Sequence, residues 1–203
     1  GSIRTQVPVC HSVGVAPPDE AAAVAAQVVA DGITWLQIKV TGDPAQDLEI
    51  IKAIRREVGD EVNMYPDVNR GYKEIKPAIN VINAMHDEAG ICAVEQPVEG
   101  FEAMTRVTEA VDVPVIVNGS LELGVGNAAN LHLAAALEGV VLPGVITVNT
   151  LAGREQTKVG GVFYTDDIIT EPFAYADGAL TVPDGPGLGV ELDEDKIDKY
   201  RVA

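Results

Sequence analysis

Lys39, Asp67 and Glu95 are spaced 28 residues apart, and His11 lies a further 28 before Lys39. Each sits at the end of a short β-type run, so equal spacing predicts side chains at one level of successive strands. A lysine and two carboxylates converging there make chemical sense together. Carboxylate oxygens are hard ligands that suit Mg²⁺. A cation so held binds a substrate carboxylate and stabilises the enolate formed when the neighbouring C–H bond breaks. Lys39, once neutral, is then the base. Other readings stay open at this level. Lys39 could form a Schiff base in an aldolase-type barrel, snorkel to a strand rim, or belong to a barrel without catalysis. Asp67 could be a turn residue or cap, and Glu95 a surface acid. His11 could reach a substrate from the first strand. His86 and His132, on helical segments, read as structural.

The elements that must position these residues alternate. Gln6–Cys10 reads as a first strand. Pro17-Pro18-Asp19-Glu20 opens an Ala-rich helix that stops at Asp31-Gly32, with proline at the start and glycine past the end. Strands follow at Trp35–Val40, Val62–Asp67, Ile91–Glu95 and Val113–Val117. Helices lie between them at Pro44–Val58, Lys73–Glu88 and Phe101–Val111. This rhythm predicts parallel strands with crossover helices, and a period near 28 residues suits a (β/α) barrel of the TIM type. An open doubly wound sheet competes, but no Gly-rich dinucleotide turn follows the first strand. Such barrels carry their sites at the carboxyl ends of the strands, where Lys39, Asp67 and Glu95 fall.

After Ser120 the pattern changes. Asn127–Leu137 reads as a helix, and a sixth strand lies near Val145–Val148. The remainder is rich in Gly and Pro, whereas a closed barrel needs eight strands. Gly124-Val125-Gly126 lacks the Lys-Ser/Thr of a phosphate loop and reads as a helix start.

Composition narrows the partners. The 203 residues carry 31 acidic against 14 basic side chains, a net charge of −17. Such a surface repels phosphate backbones, so nucleic acid is not an expected partner. The longest apolar stretches are broken by Asp, Gly or Pro, which predicts no membrane span. Two cysteines make no disulfide framework and fit a reducing cytoplasm.

Four stretches resemble the enolase superfamily, specifically its mandelate racemase/muconate lactonizing enzyme group. Gln37-Ile38-Lys39 resembles that group's Lys-x-Lys strand, with Gln in place of the first Lys. Asp67-Val68-Asn69 resembles its Asp-x-Asn, and Glu95-Gln96-Pro97 its Glu-Gln-Pro. Val182-Pro183-Asp184-Gly185-Pro186-Gly187-Leu188-Gly189-Val190 resembles its C-terminal signature. The resemblance implies Asp67 and Glu95 as metal ligands for Mg²⁺ and Lys39 as the acid/base on one face of the substrate. It implies Gln37, Asn69 and Glu122 as substrate contacts. It also implies a homo-oligomer acting on a small carboxylate. Some members acting on proline-like amino acids and betaines are similar at Gln-Ile-Lys. The expected activity is therefore racemisation or epimerisation of an amino-acid-like substrate, with dehydration (a lyase outcome) or cycloisomerisation as alternatives sharing the first step.

The departures are equally specific. The family has a third metal-binding acid and a second lysine base after the fifth strand. Here Val115-Ile116-Val117 runs directly into Asn118-Gly119-Ser120, which resembles a much later loop. Lys158 is out of place for the second base. The expectation is one barrel domain over 1–203, with the first βα units in 1–117 and the last in 118–203. About two βα units are missing between 117 and 118, and the N-terminal capping domain is absent from the sequence.

Overall fold

The structure, a computed structural model, describes residues 2–116, 123–136 and 166–202. It holds two compact units, His11–Asn118 and a second formed by Gly1–Cys10 with Gly119–Ala203.

The first unit is built from β2 (His11–Val13), α1 (Pro18–Ala30), β3 (Trp35–Lys39), α2 (Pro44–Val58), β4 (Asn63–Asp67), α3 (Ile75–Ala89), β5 (Val94–Glu95), α4 (Phe101–Thr108) and β6 (Val115–Ile116). β1 (Gln6–Pro8) precedes them and belongs to the other unit. All five strands of this unit are parallel and lie in chain order, β2-β3-β4-β5-β6. A doubly wound sheet would reverse direction at a switch point. Right-handed crossovers that always advance by one strand put every helix on the same side, as barrel winding requires.

Local chemistry explains the helices. Asp43 caps α2, its side chain accepting the Ala45 and Gln46 N–H groups at 3.0 Å. Ile50, Ile51, Ala53 and Ile54 form its buried stripe, and Gly59 with positive φ ends it. On α3 the buried stripe is Ala78, Val81, Ile82, Met85 and Ala89.

Strand register sorts side chains by face, because partners in register point the same way and neighbours along a strand alternate. Leu36, Ile38, Met64 and Val94 share one face, apolar and suited to the helices' apolar stripes. Gln37, Lys39, Tyr65, Asp67 and Glu95 share the other.

Two expectations are corrected here. Gln6–Cys10 does not open the parallel series. β1 pairs antiparallel with β8 (Ala179–Thr181), and the first parallel strand is His11–Val13. Nor does His11 stand level with Lys39. Its register partner is Leu36, which puts it on the helix-facing side. The 28-residue offset holds from β3 to β4 and from β4 to β5, but β2 pairs with β3 at an offset three residues shorter.

In the second unit, α5 (Gly124–Ala136) starts where Asp167 Oδ1 accepts the Gly124 N–H at 2.9 Å. A side chain at Gly124 would strike Ile169, so the glycine marks a packed helix start. β7 (Tyr175–Ala176) and β8 make a hairpin whose turn, Asp177-Gly178, has positive φ at both residues, the preferred two-residue geometry. α6 (Glu194–Tyr200) is tied down by Lys196 and Tyr200, which both reach Asp166. The Pro-Gly-Leu-Gly tail folds tightly on itself. A Cβ on Gly189 would fall 2.7 Å from the Pro183 side chain, and His132 bonds the Leu188 carbonyl at 3.1 Å. Neither cysteine forms a disulfide, and among the described residues no helix is long and apolar enough to cross a membrane.

Candidate functional site

Lys39, Asp67 and Glu95 are register partners on adjacent strands. The Lys39 ammonium pairs with Asp67 Oδ2. Gln37 Nε2 donates to Glu95 Oε2 at 2.7 Å and more weakly to Asp67 Oδ2 at 3.4 Å. The backbone N–H of Asn69 donates to Asp67 Oδ1 at 3.0 Å, while the Asn69 side chain is exposed. Asp67 is thus met by three donors and Glu95 by Gln37. Both carboxylates are buried, at 1% and 4% exposed, whereas the Lys39 side chain keeps 26% of its surface in solvent. The lysine is the member of the group that reaches solvent.

The electrostatics follow. Burial and the neighbouring negative charge of Asp67 push the Glu95 carboxyl up to about 7, against smaller opposing effects of Gln37 and Lys39. Two carboxylates held together in a poorly solvated place leave negative charge under-compensated. Hard oxygen donors crowded in this way fit a divalent cation such as Mg²⁺, and Asp67 with Glu95 would hold it. Among the described residues no third His, Cys, Asp or Glu joins them.

The backbone beyond these strands is unusual. Asn69, Arg70 and Gln96 all have positive φ without being glycine. Such conformations persist where surroundings over-determine them, and they cluster at functional sites. Here the surroundings are interlocked loops. The Val68 N–H bonds the Glu95 carbonyl at 3.0 Å, Arg70 N–H that of Gln96 at 2.6 Å, and Tyr72 N–H that of Pro97 at 3.2 Å.

His11 is not part of this group. It is buried on the other face, and burial holds its imidazole down to about 4, with Asp31 opposing weakly. Ser12, buried, takes its place on the polar face as the register partner of Gln37. The sequence reading missed it because the 28-residue ruler was applied one unit too far. His86 bonds the Ile91 carbonyl at 3.2 Å, a structural role. Glu122, Lys158, the Asn118-Gly119-Ser120 turn and the strand expected at Val145–Val148 lie outside the described residues.

The sequence matches the enolase C-terminal domain-like family over residues 20–122 and again over 100–196. The chain therefore belongs to the enolase superfamily, in its mandelate racemase/muconate lactonizing enzyme group. It is similar to muconate cycloisomerase 1 of Acinetobacter baylyi, with 25% identity over 99% of this chain and 65% of that protein. It is 27% identical to the N-succinylamino acid racemase of an Amycolatopsis species, over its whole length and 65% of that protein. The crystal structure of muconate cycloisomerase from Pseudomonas fluorescens superposes with a TM-score of 0.81 at 20% identity, covering 99% of this chain and 67% of that one. The α/β fold is thus that of the superfamily. The chain spans just under two thirds of the length of these two curated relatives. The racemase alignment runs over 257 positions against 203 residues, so stretches of that relative have no counterpart within this chain.

Proposed function

We propose that this chain carries the first-base half of an active site that removes the proton next to a carboxylate, in a racemase or epimerase of an amino-acid-like substrate. The observation that carries this reading is the single polar layer of Gln37, Lys39, Asp67 and Glu95 at the carboxyl ends of β3, β4 and β5. Relatives named as racemase and as muconate cycloisomerase support the reaction class.

The roles follow from position. Asp67 and Glu95 would hold Mg²⁺, whose chemistry here is to stabilise charge on a substrate carboxylate as its α-proton leaves. Gln37, whose amide N–H groups go to Glu95 and more weakly to Asp67, would turn the weaker one to the substrate carboxylate. It contributes no charge of its own, unlike the lysine usual there. Lys39, partly exposed, first leaves Asp67 and gives up a proton to solvent; the neutral amine then accepts the α-proton at Nζ from one face, and returns it in the reverse direction. Ser12 and Asn69 border the same space. Preorganised donors and a buried layer raise the worth of each contact over that in water.

The test uses the whole protein and three probes: N-succinyl amino acids, an Ala-Glu dipeptide and cis,cis-muconate. Exchange of the α-proton into D₂O is followed with Mg²⁺ and with chelator. The reading expects Mg²⁺-dependent exchange of an amino-acid probe, lost in Lys39→Ala, Asp67→Asn and Glu95→Gln while the fold is kept. Full activity of either carboxylate variant overturns the metal assignment. Turnover of muconate alone moves the function to cycloisomerisation.

A further inference from the structure

The first turn of α2 buries a carboxylate that the site does not use. Asp47 is 0% exposed. Its Oδ1 accepts the Thr41 N–H at 2.8 Å and the Thr41 hydroxyl at 2.6 Å, and its Oδ2 accepts the Gly42 N–H at 3.0 Å. The Thr41 hydroxyl in turn accepts the Asp43 N–H at 3.0 Å. A carboxylate is retained inside a protein only where donors replace its water, and all three donors come from the segment two and three residues past Lys39. The helix does not need Asp47 to start, because Asp43 already caps it.

The same segment touches the next loop. A Cβ on Gly42 would fall 3.2 Å from the Gly71 Cα, and one on Gly71 would fall 3.0 Å from the Gly42 Cα, so the two backbones meet without space for a side chain. The buried Tyr72 phenol lies beside Asp47, and burial together with that negative charge pushes its ionisation up. Tyr72 is in turn tied to Pro97, two residues past Glu95. One carboxylate therefore anchors the loop after β3 against the loop after β4, which is bonded to the loop after β5.

We propose that Asp47 is a positioning residue for Lys39. By fixing Thr41 and Gly42 it sets where the β3 strand ends, and so where the Lys39 ammonium stands relative to Asp67. It touches neither substrate nor reacting atoms. The inference rests on the reading of Lys39 as the proton-transfer group, and its test separates the two.

The variants are Asp47→Asn, Thr41→Val and Thr41→Ser in the whole protein. Asp47→Asn keeps the shape but turns an NH₂ against N–H donors. It is expected to speed amide exchange at Thr41 and Gly42 by ~100-fold while Leu36 and Ile38 in the strand keep theirs. The Lys39 side-chain NMR signals should move. With an N-succinyl amino acid that the wild type exchanges, kcat should fall by ~10-fold or more with KM changed less than about threefold, since misplaced groups lose rate more than binding. Thr41→Val should follow Asp47→Asn in direction, and Thr41→Ser should restore wild-type behaviour. A loosened loop with unchanged kcat overturns the proposal, as does loss of protection throughout β3, which would make Asp47 a brace of the fold. If Asp47→Asn does not fold, the Thr41 pair decides: equal rates for Val and Ser overturn it. If the wild type exchanges no probe, the proposed function has failed, and the Lys39 signals alone decide: unmoved signals overturn the positioning role.

Discussion

Gln37 and Glu95 meet at 2.7 Å although a whole strand, β4, lies between theirs. In a flat sheet, strands two apart are about 9.6 Å from one another and side chains stand off the surface, so these two would not touch. The contact requires the polar face to be concave. Curvature of that sign is what a sheet on its way round a barrel has, and here it can be read from one hydrogen bond. Replacing Gln37 with Leu keeps the bulk and removes the donor shared by two buried carboxylates. It should destabilise by about 2–3 kcal/mol at pH 8 and by clearly less at pH 5, where Glu95 is protonated. Urea melts at the two pH values check this, and equal losses would refute it.

Glu95 and His11 should pull the pH dependence of stability in opposite directions. The Glu95 carboxyl is raised from 4.5 to about 7 in the folded chain. Between those values the folded chain keeps a proton that the unfolded chain has released, so this contribution falls as pH rises. The His11 imidazole is lowered from 6.5 to about 4. There the unfolded chain holds a proton that the folded chain refuses, so this contribution rises with pH. Each is worth at most about 3 kcal/mol. They offset each other between pH 4.5 and 6.5. Relative to wild type, Glu95→Gln should gain stability as pH rises through that window, and His11→Gln should lose it. Variants with parallel profiles would show that neither group is shifted.

Gly71 and Tyr72 are neighbours with unequal expectations. Gly71 has no positive φ, so its constraint is purely steric: a Cβ would fall 2.8 Å from the Val68 carbonyl oxygen. Gly71→Ala should cost about 1–3 kcal/mol. The buried Tyr72 hydroxyl lies against the buried Asp47 carboxylate. Tyr72→Phe keeps the bulk and leaves Asp47 its three other donors, and should cost no more than about 1 kcal/mol. Thermal melts of the pair test both statements.

Arg55 does at the opposite ends of the strands what the loops do at the site. Its guanidinium donates to the carbonyls of Ala89 at 2.7 Å, Gly59 at 2.6 Å, Val62 at 2.8 Å and Gly90 at 3.2 Å, closing the turns that lead into β4 and β5. Arg55→Met would leave the carbonyls of the buried Ala89 and Val62 unpaired and should cost about 2–4 kcal/mol. Turnover per folded molecule should stay within about twofold, because no bond of Arg55 reaches the polar layer. A large fall in kcat at constant folded fraction would contradict this.

What the sequence revealed depended on how local the signal was. The apolar spacing on α2 and α3 and the 28-residue rhythm from Lys39 to Glu95 are short-range patterns, and they located the helices and the polar layer. The first unit defeated the same ruler because register between β2 and β3 is set by packing, which no spacing reports. β1 was placed in the wrong sheet because alternation identifies a strand without identifying its partner. The hairpin at Asp177-Gly178 did carry a local signal, the Asp-Gly pair, lost among neighbouring Gly and Pro. Asp47 was invisible for a different reason. It is one of 31 acids, and only its three donors distinguish it from a solvated one.

The pairing of β1 with β8 has a consequence in time. Residues 6–8 find their partners at 179–181, so that strand cannot close until residue 181 has been made, and closing so long a loop is entropically slow. The unit His11–Asn118 has no such debt, since each of its strands pairs with the next. On a ribosome it should acquire protected amides while the other unit waits for its last strand. Pulse-labelled exchange during refolding should show β3 and β4 protected before Val7 and Leu180. Residues 6–8, made before the unit His11–Asn118, would then fold after it.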